Sequence, residues 1–64
     1  MIRLNGEDRD FVPETVEEMI RRLSIEPRGV AVAIDGDVVR RSEWHTTPIE
    51  DGCTIEIVTA VAGG

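Results

Sequence analysis

Apolar and polar residues alternate from Met1 to Leu4, which sets Ile2 and Leu4 on one side of an extended segment. Asn5-Gly6 follows. Both residues accept positive φ, so the pair predicts a tight hairpin turn, with Arg9–Val12 as the returning strand and Pro13 closing it. The spacing then changes. Val16, Met19, Ile20 and Leu23 fall at i, i+3, i+4 and i+7, one apolar stripe of a helix that starts at Thr15. Thr15 and Glu18 have the spacing of a capping box. Glu17–Arg21 and Glu18–Arg22 are acid-before-base pairs four apart, each expected to add about 0.3–0.5 kcal/mol when exposed. Acids in the first turn and Arg in the last suit the helix dipole. Pro27 and Gly29 end the segment.

Val30–Ile34 is apolar on both sides. It therefore reads as an interior strand, or as part of a sheet whose second face is kept for a partner. Asp35-Gly36 predicts another hairpin turn, with Val38-Val39 as the short strand after it. Ser42 is the expected cap of a brief helical turn through Glu43, Trp44 and His45. Asp51-Gly52 is a turn, and Thr54–Val58 is the last strand, with Ile55 and Ile57 inward. One helix between a hairpin and later strands implies an α+β fold, a mixed sheet of about five strands with the helix on one face. This is the β-grasp arrangement, in which the first and last strands lie parallel at the centre. The helix stripe then covers Ile2, Leu4, Val32, Ile34, Ile55 and Ile57. Ala31, Ala33 and Val58 point the other way, a shallow apolar patch that is a candidate docking face.

Composition narrows the function classes. At 64 residues the chain is one domain and buries only about 60% of the surface its unfolded form exposes, too little to wall a deep pocket. Seven Arg, no Lys and thirteen acids give a net charge of −6. That field disfavours nucleic acid and steers the chain towards basic protein surfaces. Without Lys there is neither a Schiff base nor a P-loop. Cys53 is the single cysteine, so no internal disulfide forms, and the expected compartment is the cytoplasm. Val30–Ile34 is too short an apolar run to span a membrane, and the start of the chain reads as a strand rather than a signal peptide.

Individual residues add little chemistry. Cys53 reads as a small half-buried residue, because Glu50, Asp51 and Glu56 nearby in sequence work against a reactive thiolate. His45 has no second His or Cys with which to hold a metal. Asp35-Gly36-Asp37 places Gly second, where a calcium loop needs it sixth. Trp44 and Phe11 are expected in or beside the core, and Arg40-Arg41 in solvent. No cluster of catalytic groups appears, so an enzyme is the weakest reading, and a monomeric carrier or interaction module is favoured.

The tail carries the strongest signal. Thr59-Ala60-Val61-Ala62-Gly63-Gly64 has no charged side chain and ends in two glycines. Six extended residues reach roughly 20 Å. Glycines let the backbone enter a narrow channel, and an α-carboxyl with a pKa of about 3.3–3.7 is an ionised oxygen nucleophile at neutral pH. The chain divides accordingly into a body, residues 1–58, and a flexible arm, residues 59–64.

With these segments in place the chain resembles ThiS-type sulfur carrier proteins of thiamine biosynthesis, ubiquitin-like β-grasp proteins, over nearly its whole length. Asn5-Gly6-Glu7, the Thr15–Leu23 helix, Gly29–Ile34, Arg41-Ser42-Glu43-Trp44, Asp51-Gly52 and Glu56–Gly64 carry the likeness. Asp35 stands where Asn is usual, and Cys53 where Asp is usual. The resemblance implies that Gly64 is the modified residue: a ThiF-type enzyme, using its own ATP and magnesium, adenylates it. A sulfur donor then converts it to a thiocarboxylate, which feeds thiazole synthase of the ThiG type. It also implies that Gly63, Ala62 and Val61 thread the partner's active site. The chain itself would bind no cofactor or metal and would supply no catalytic residue. The alternatives are a carrier like the small subunit of molybdopterin synthase, and an unmodified β-grasp interaction module.

Overall fold

A computed structural model describes residues 1–59. The strands are β1 (Ile2–Leu4), β2 (Glu7–Arg9), β3 (Val30–Ile34), β4 (Asp37–Val39) and β5 (Thr54–Thr59); α1 spans Val16–Arg22, and a 3₁₀ turn spans Arg41–Glu43. The five strands form one sheet in the order β2-β1-β5-β3-β4. β1 and β5 run parallel, with Arg3 beside Thr54 and Leu4 beside Ile55, and the other neighbours are antiparallel. The β-grasp order read from the sequence is the observed one.

The two tight turns follow from their residues. Asn5 and Asp35 both sit at φ 49°, followed by Gly6 at 83° and Gly36 at 90°. These are left-handed values that Asn, Asp and Gly adopt most readily. A two-residue turn pairs its flanks at once, so Leu4 meets Glu7 and Ile34 meets Asp37. This corrects the expected returning strand: it is Glu7–Arg9, not Arg9–Val12. β1 has only three residues to offer, and pairing is used up at Arg9. β2 is exposed along its whole length, and its charged residues guard the sheet edge.

Thr15 caps α1, its hydroxyl accepting from the Glu18 amide at 3.1 Å. Glu18 departs from the expected box by taking the Glu14 amide, at 2.8 Å, one residue before the cap. With that carboxylate committed, the expected Glu18–Arg22 pair is not among the described ion pairs, and Arg22 lies 4.8 Å above the Phe11 ring instead. Glu17–Arg21 does form, at 3.7 Å, with both side chains exposed. The helix stops before Pro27. Ser24, at φ 56°, donates to Arg21 C=O and Ile25 to Ile20 C=O, the paired bonds of a Schellman stop with Ser in the place Gly usually takes.

The core lies between α1 and the inner face of the sheet. Ile2, Leu4, Val16, Met19, Ile20, Val32 and Ile55 are buried in it, as the stripe and strand patterns required. Leu23, Ile34 and Ile57 are half-buried at its margin. The segment after β4 adds Trp44, Ile49 and Cys53. Trp44 is 5% exposed and donates its indole N–H to Val39 C=O at 3.1 Å. Ser42 is not a cap: the turn begins after Arg40 and has no side-chain cap. Val16 N–H bonds Thr47 C=O and Glu17 N–H bonds Trp44 C=O, so this segment's carbonyls satisfy amides that a helix start leaves open.

Candidate functional site

The described part of the site is the end of β5 and the outer face of the sheet around it. β5 lies between β3 and β1, and its two sides differ in length. On the β3 side the register runs through five pairs and ends at Val30 beside Thr59. The strand therefore extends one residue past the expected end at Val58. On the β1 side the paired residues end at Leu4 beside Ile55. Val61, Ala62, Gly63 and Gly64, the residues to which the chemistry is assigned, lie outside the described residues.

The outer face follows from alternation along the strands. Ala31 pairs with Val58, and Ala33 sits between Glu56 and Val38. Together they line a shallow depression in which the three candidate docking residues Ala31, Ala33 and Val58 meet. Val58 is 58% exposed and Val38 73%. The sequence reading missed Val38 and Glu56. Strict alternation outward from the Asp35-Gly36 turn was the signal that would have placed Val38 opposite Ala33. Farther along the same face Arg3 pairs with Asp8 at 3.5 Å.

Other candidates fall away from this face. Cys53 is buried, at 7% exposure, and burial pushes its thiol up, with the charges of Asp35 and Glu50 adding to the effect. It is held as a protonated core residue. The sequence reading of half-burial understated this, because Cys53 joins the core cluster that also holds Ile49 and Ile55. Asp51 is held below the usual carboxylate range, mainly by a hydrogen bond from the chain's terminal ammonium. His45 is exposed, and no group of potential metal ligands occurs among the described residues. Arg41 is exposed but not simply solvated, since its guanidinium lies 5.9 Å from the Trp44 ring. An open groove beside it is lined by Ile20, Arg21, Ile25, Pro27, Arg41 and Trp44.

A mixed five-stranded sheet grasping one helix, with Gly63-Gly64 following the last described strand in sequence, defines the ubiquitin-like β-grasp class. The family model for the ThiS family matches residues 2–64, and the chain belongs to that family of sulfur carriers. It is 33% identical to the sulfur carrier protein ThiS of Thermus thermophilus over 64 residues, the full length of both. It is also 33% identical over 51 residues to the Escherichia coli protein of that name, covering 80% of this chain and 77% of the other. A thiazole synthase of Paramagnetospirillum magneticum is 36% identical over 62 residues, 95% of this chain but 19% of that longer protein. The crystal structure of a thiamine biosynthesis protein (ThiS) from Geobacter metallireducens superposes with a TM-score of 0.81 at 25% identity, covering 98% of this chain and 97% of the other.

Proposed function

We propose that this chain carries sulfur for thiamine biosynthesis on the carboxylate of Gly64. The Gly64 carboxylate oxygen attacks the α-phosphorus of ATP held by a ThiF-type adenylating enzyme, and pyrophosphate leaves. The acyl adenylate is activated because AMP is a good leaving group. A sulfur nucleophile from the donor attacks the carbonyl carbon and AMP departs, leaving a thiocarboxylate. That group passes its sulfur to a ThiG-type thiazole synthase. ATP and magnesium belong to the partner; the carrier supplies a terminus, a reach and a surface to recognise.

The observation that carries this reading is the direct run of β5, the central strand, into an uncharged Gly-Gly end. An arm of small residues offers little for a partner to tell apart, so recognition falls on the body. Ala31, Ala33, Val38 and Val58 beside the arm's exit are the surface assigned to it. A thiazole synthase that contains a segment like this chain supports that enzyme as the acceptor.

Incubation with ATP and the adenylating enzyme, followed by intact-mass measurement, tests the proposal. The expected product is heavier by one adenylyl group and, once sulfur donor is added, by the exchange of one oxygen for sulfur. An unchanged mass would overturn the reading. Rescue of a thiamine auxotroph, without rescue of a molybdenum-cofactor auxotroph, separates this carrier role from the alternative one.

A further inference from the structure

Asn5 does two things at once. Its backbone forms the first half of the β1–β2 turn, at φ 49°. Its side chain lies against β5, where Oδ1 accepts from Ile57 N–H at 2.8 Å and Nδ2 donates to Ile57 C=O at 3.2 Å. β1 has turned away by this point. Its last backbone bond to β5 runs from Asn5 N–H to Ile55 C=O at 2.9 Å. A longer parallel β1 would have offered Ile57 a backbone carbonyl and, two residues on, a backbone N–H. The Asn5 carboxamide supplies both the acceptor and the donor from one side chain, and it adds one more rung to the ladder.

The other turn shows why the amide is required here. Asp35 brackets Thr54 at the opposite end of β5. Its Oδ1 accepts from Thr54 N–H at 2.9 Å, while its own backbone N–H donates to Thr54 C=O at 2.7 Å. The backbone supplies the donor, so a carboxylate suffices. At Asn5 the side chain supplies both donor and acceptor, and a carboxylate would face the Ile57 carbonyl with like charge.

We propose that Asn5 is a positioning residue for the carrier's C-terminal end: its carboxamide clamps β5 at Ile57 and so holds the last described residues of the strand, Val58 and Thr59, in place. This rests on the carrier reading above. Past Ile57 the described partner of β5 is β3, through Val30 and Thr59. Releasing the clamp frees the last turn of the strand on one side. Val58 and Thr59 then sample more directions, and fewer encounters deliver the carboxylate to the nucleotide. The bound carboxylate reacts as before, so the cost falls on KM and leaves kcat unchanged.

Two variants and a control test this in the full chain. Asn5→Gly keeps the left-handed backbone and removes both side-chain bonds. Asn5→Asp keeps the turn and the acceptor but loses the donor. Asp35→Asn, at the other turn, is the control. Amide exchange at Ile57 should quicken about tenfold in Asn5→Gly, the scale of one lost hydrogen bond, with Ile55 and Val32 unchanged. The carrier's KM for adenylation should rise about fivefold at constant kcat in Asn5→Gly, and less in Asn5→Asp. Asp35→Asn should move neither readout. Unchanged exchange at Ile57, or faster exchange with a wild-type KM, overturns the proposal. Should Asn5→Gly fail to fold, a wild-type KM in Asn5→Asp overturns it equally. A wild-type chain that is never adenylated overturns the carrier reading, and with it the positioning role, even where the exchange result shows that the clamp exists.

Discussion

The same five strands build two faces that differ in almost every respect. Towards α1 they present Ile2, Leu4, Val32 and Ile55, all buried. Away from it they present Ala31, Ala33, Val38 and Val58 around a shallow depression, with the two valines largely exposed. β3 makes the contrast within five residues, putting Val and Ile on one side and Ala on the other. Large branched side chains fill space between layers, while small ones leave a partner room to approach. Stability is thereby placed on one face, and the proposed recognition surface is the other, so the two are expected to be alterable separately.

The sharpest separation lies beyond both faces. Deleting Gly64, or adding a residue after it, is expected to abolish adenylation while the unfolding midpoint stays where it was. Normal adenylation of a protein extended at that end would refute the role of the terminal carboxylate. On the inner face, Ile55→Ala removes methyl groups from a fully buried site and should cost about 2–5 kcal/mol. That is a large share of a small domain's stability, so a sharp fall in thermal midpoint is expected; a loss below about 1 kcal/mol would mean the core collapses around the gap. On the outer face, Ala31→Arg or Val58→Arg should weaken binding to the adenylating enzyme by about 2 kcal/mol or more if the depression is the centre of the interface. Denaturant unfolding should move by no more than about 0.5 kcal/mol. Unchanged affinity by calorimetry would remove this face from the interface.

The smallest effect concerns Cys53, at the edge of the inner layer. Cys53→Ser should keep thiocarboxylate formation and lose about 1 kcal/mol, the cost of a buried hydroxyl with an imperfect partner. Its pH dependence has a definite sign. Burial raises the thiol's pKa in the folded state, so the unfolded chain loses this proton first. The related stability is whole below the unfolded thiol value of about 8.5 and falls as pH climbs through the higher folded value. Wild type should lose stability there relative to Cys53→Ser; parallel curves would show that the thiol is not buried in solution.

Much of this division was legible in the pattern of side chains. The helix stripe, both two-residue turns and the alternation in β3 and β5 follow from local spacing, and local spacing decides which face a residue takes. What escaped depends on contacts far apart in the chain. The end of β2 was set by how few residues β1 offers. Glu18 was drawn to the Glu14 amide rather than Arg22, a choice between neighbours that spacing alone cannot rank. Ile49 and Cys53 enter the core because an irregular segment folds back on α1, with no periodicity to mark it. Asn5 was readable as a turn residue, but its hold on Ile57 spans 52 positions. The chemistry proposed for Gly64 rests on the Gly-Gly motif and the family likeness rather than on any folded surroundings.

The parallel pairing of β1 with β5 has a consequence for how the chain acquires its shape. β1 precedes every other element described, yet its neighbour at the sheet's centre is the last strand described. Until then it has only a three-residue hairpin partner, and such a hairpin is at best marginal in water. A seven-residue helix is no more stable alone. No early segment has enough company to hold a structure, so acquisition of the fold waits for Thr54–Thr59 and then proceeds by closing one long loop. A chain truncated before Thr54 would remain open to proteases, and one that includes Thr59 would be sheltered all at once.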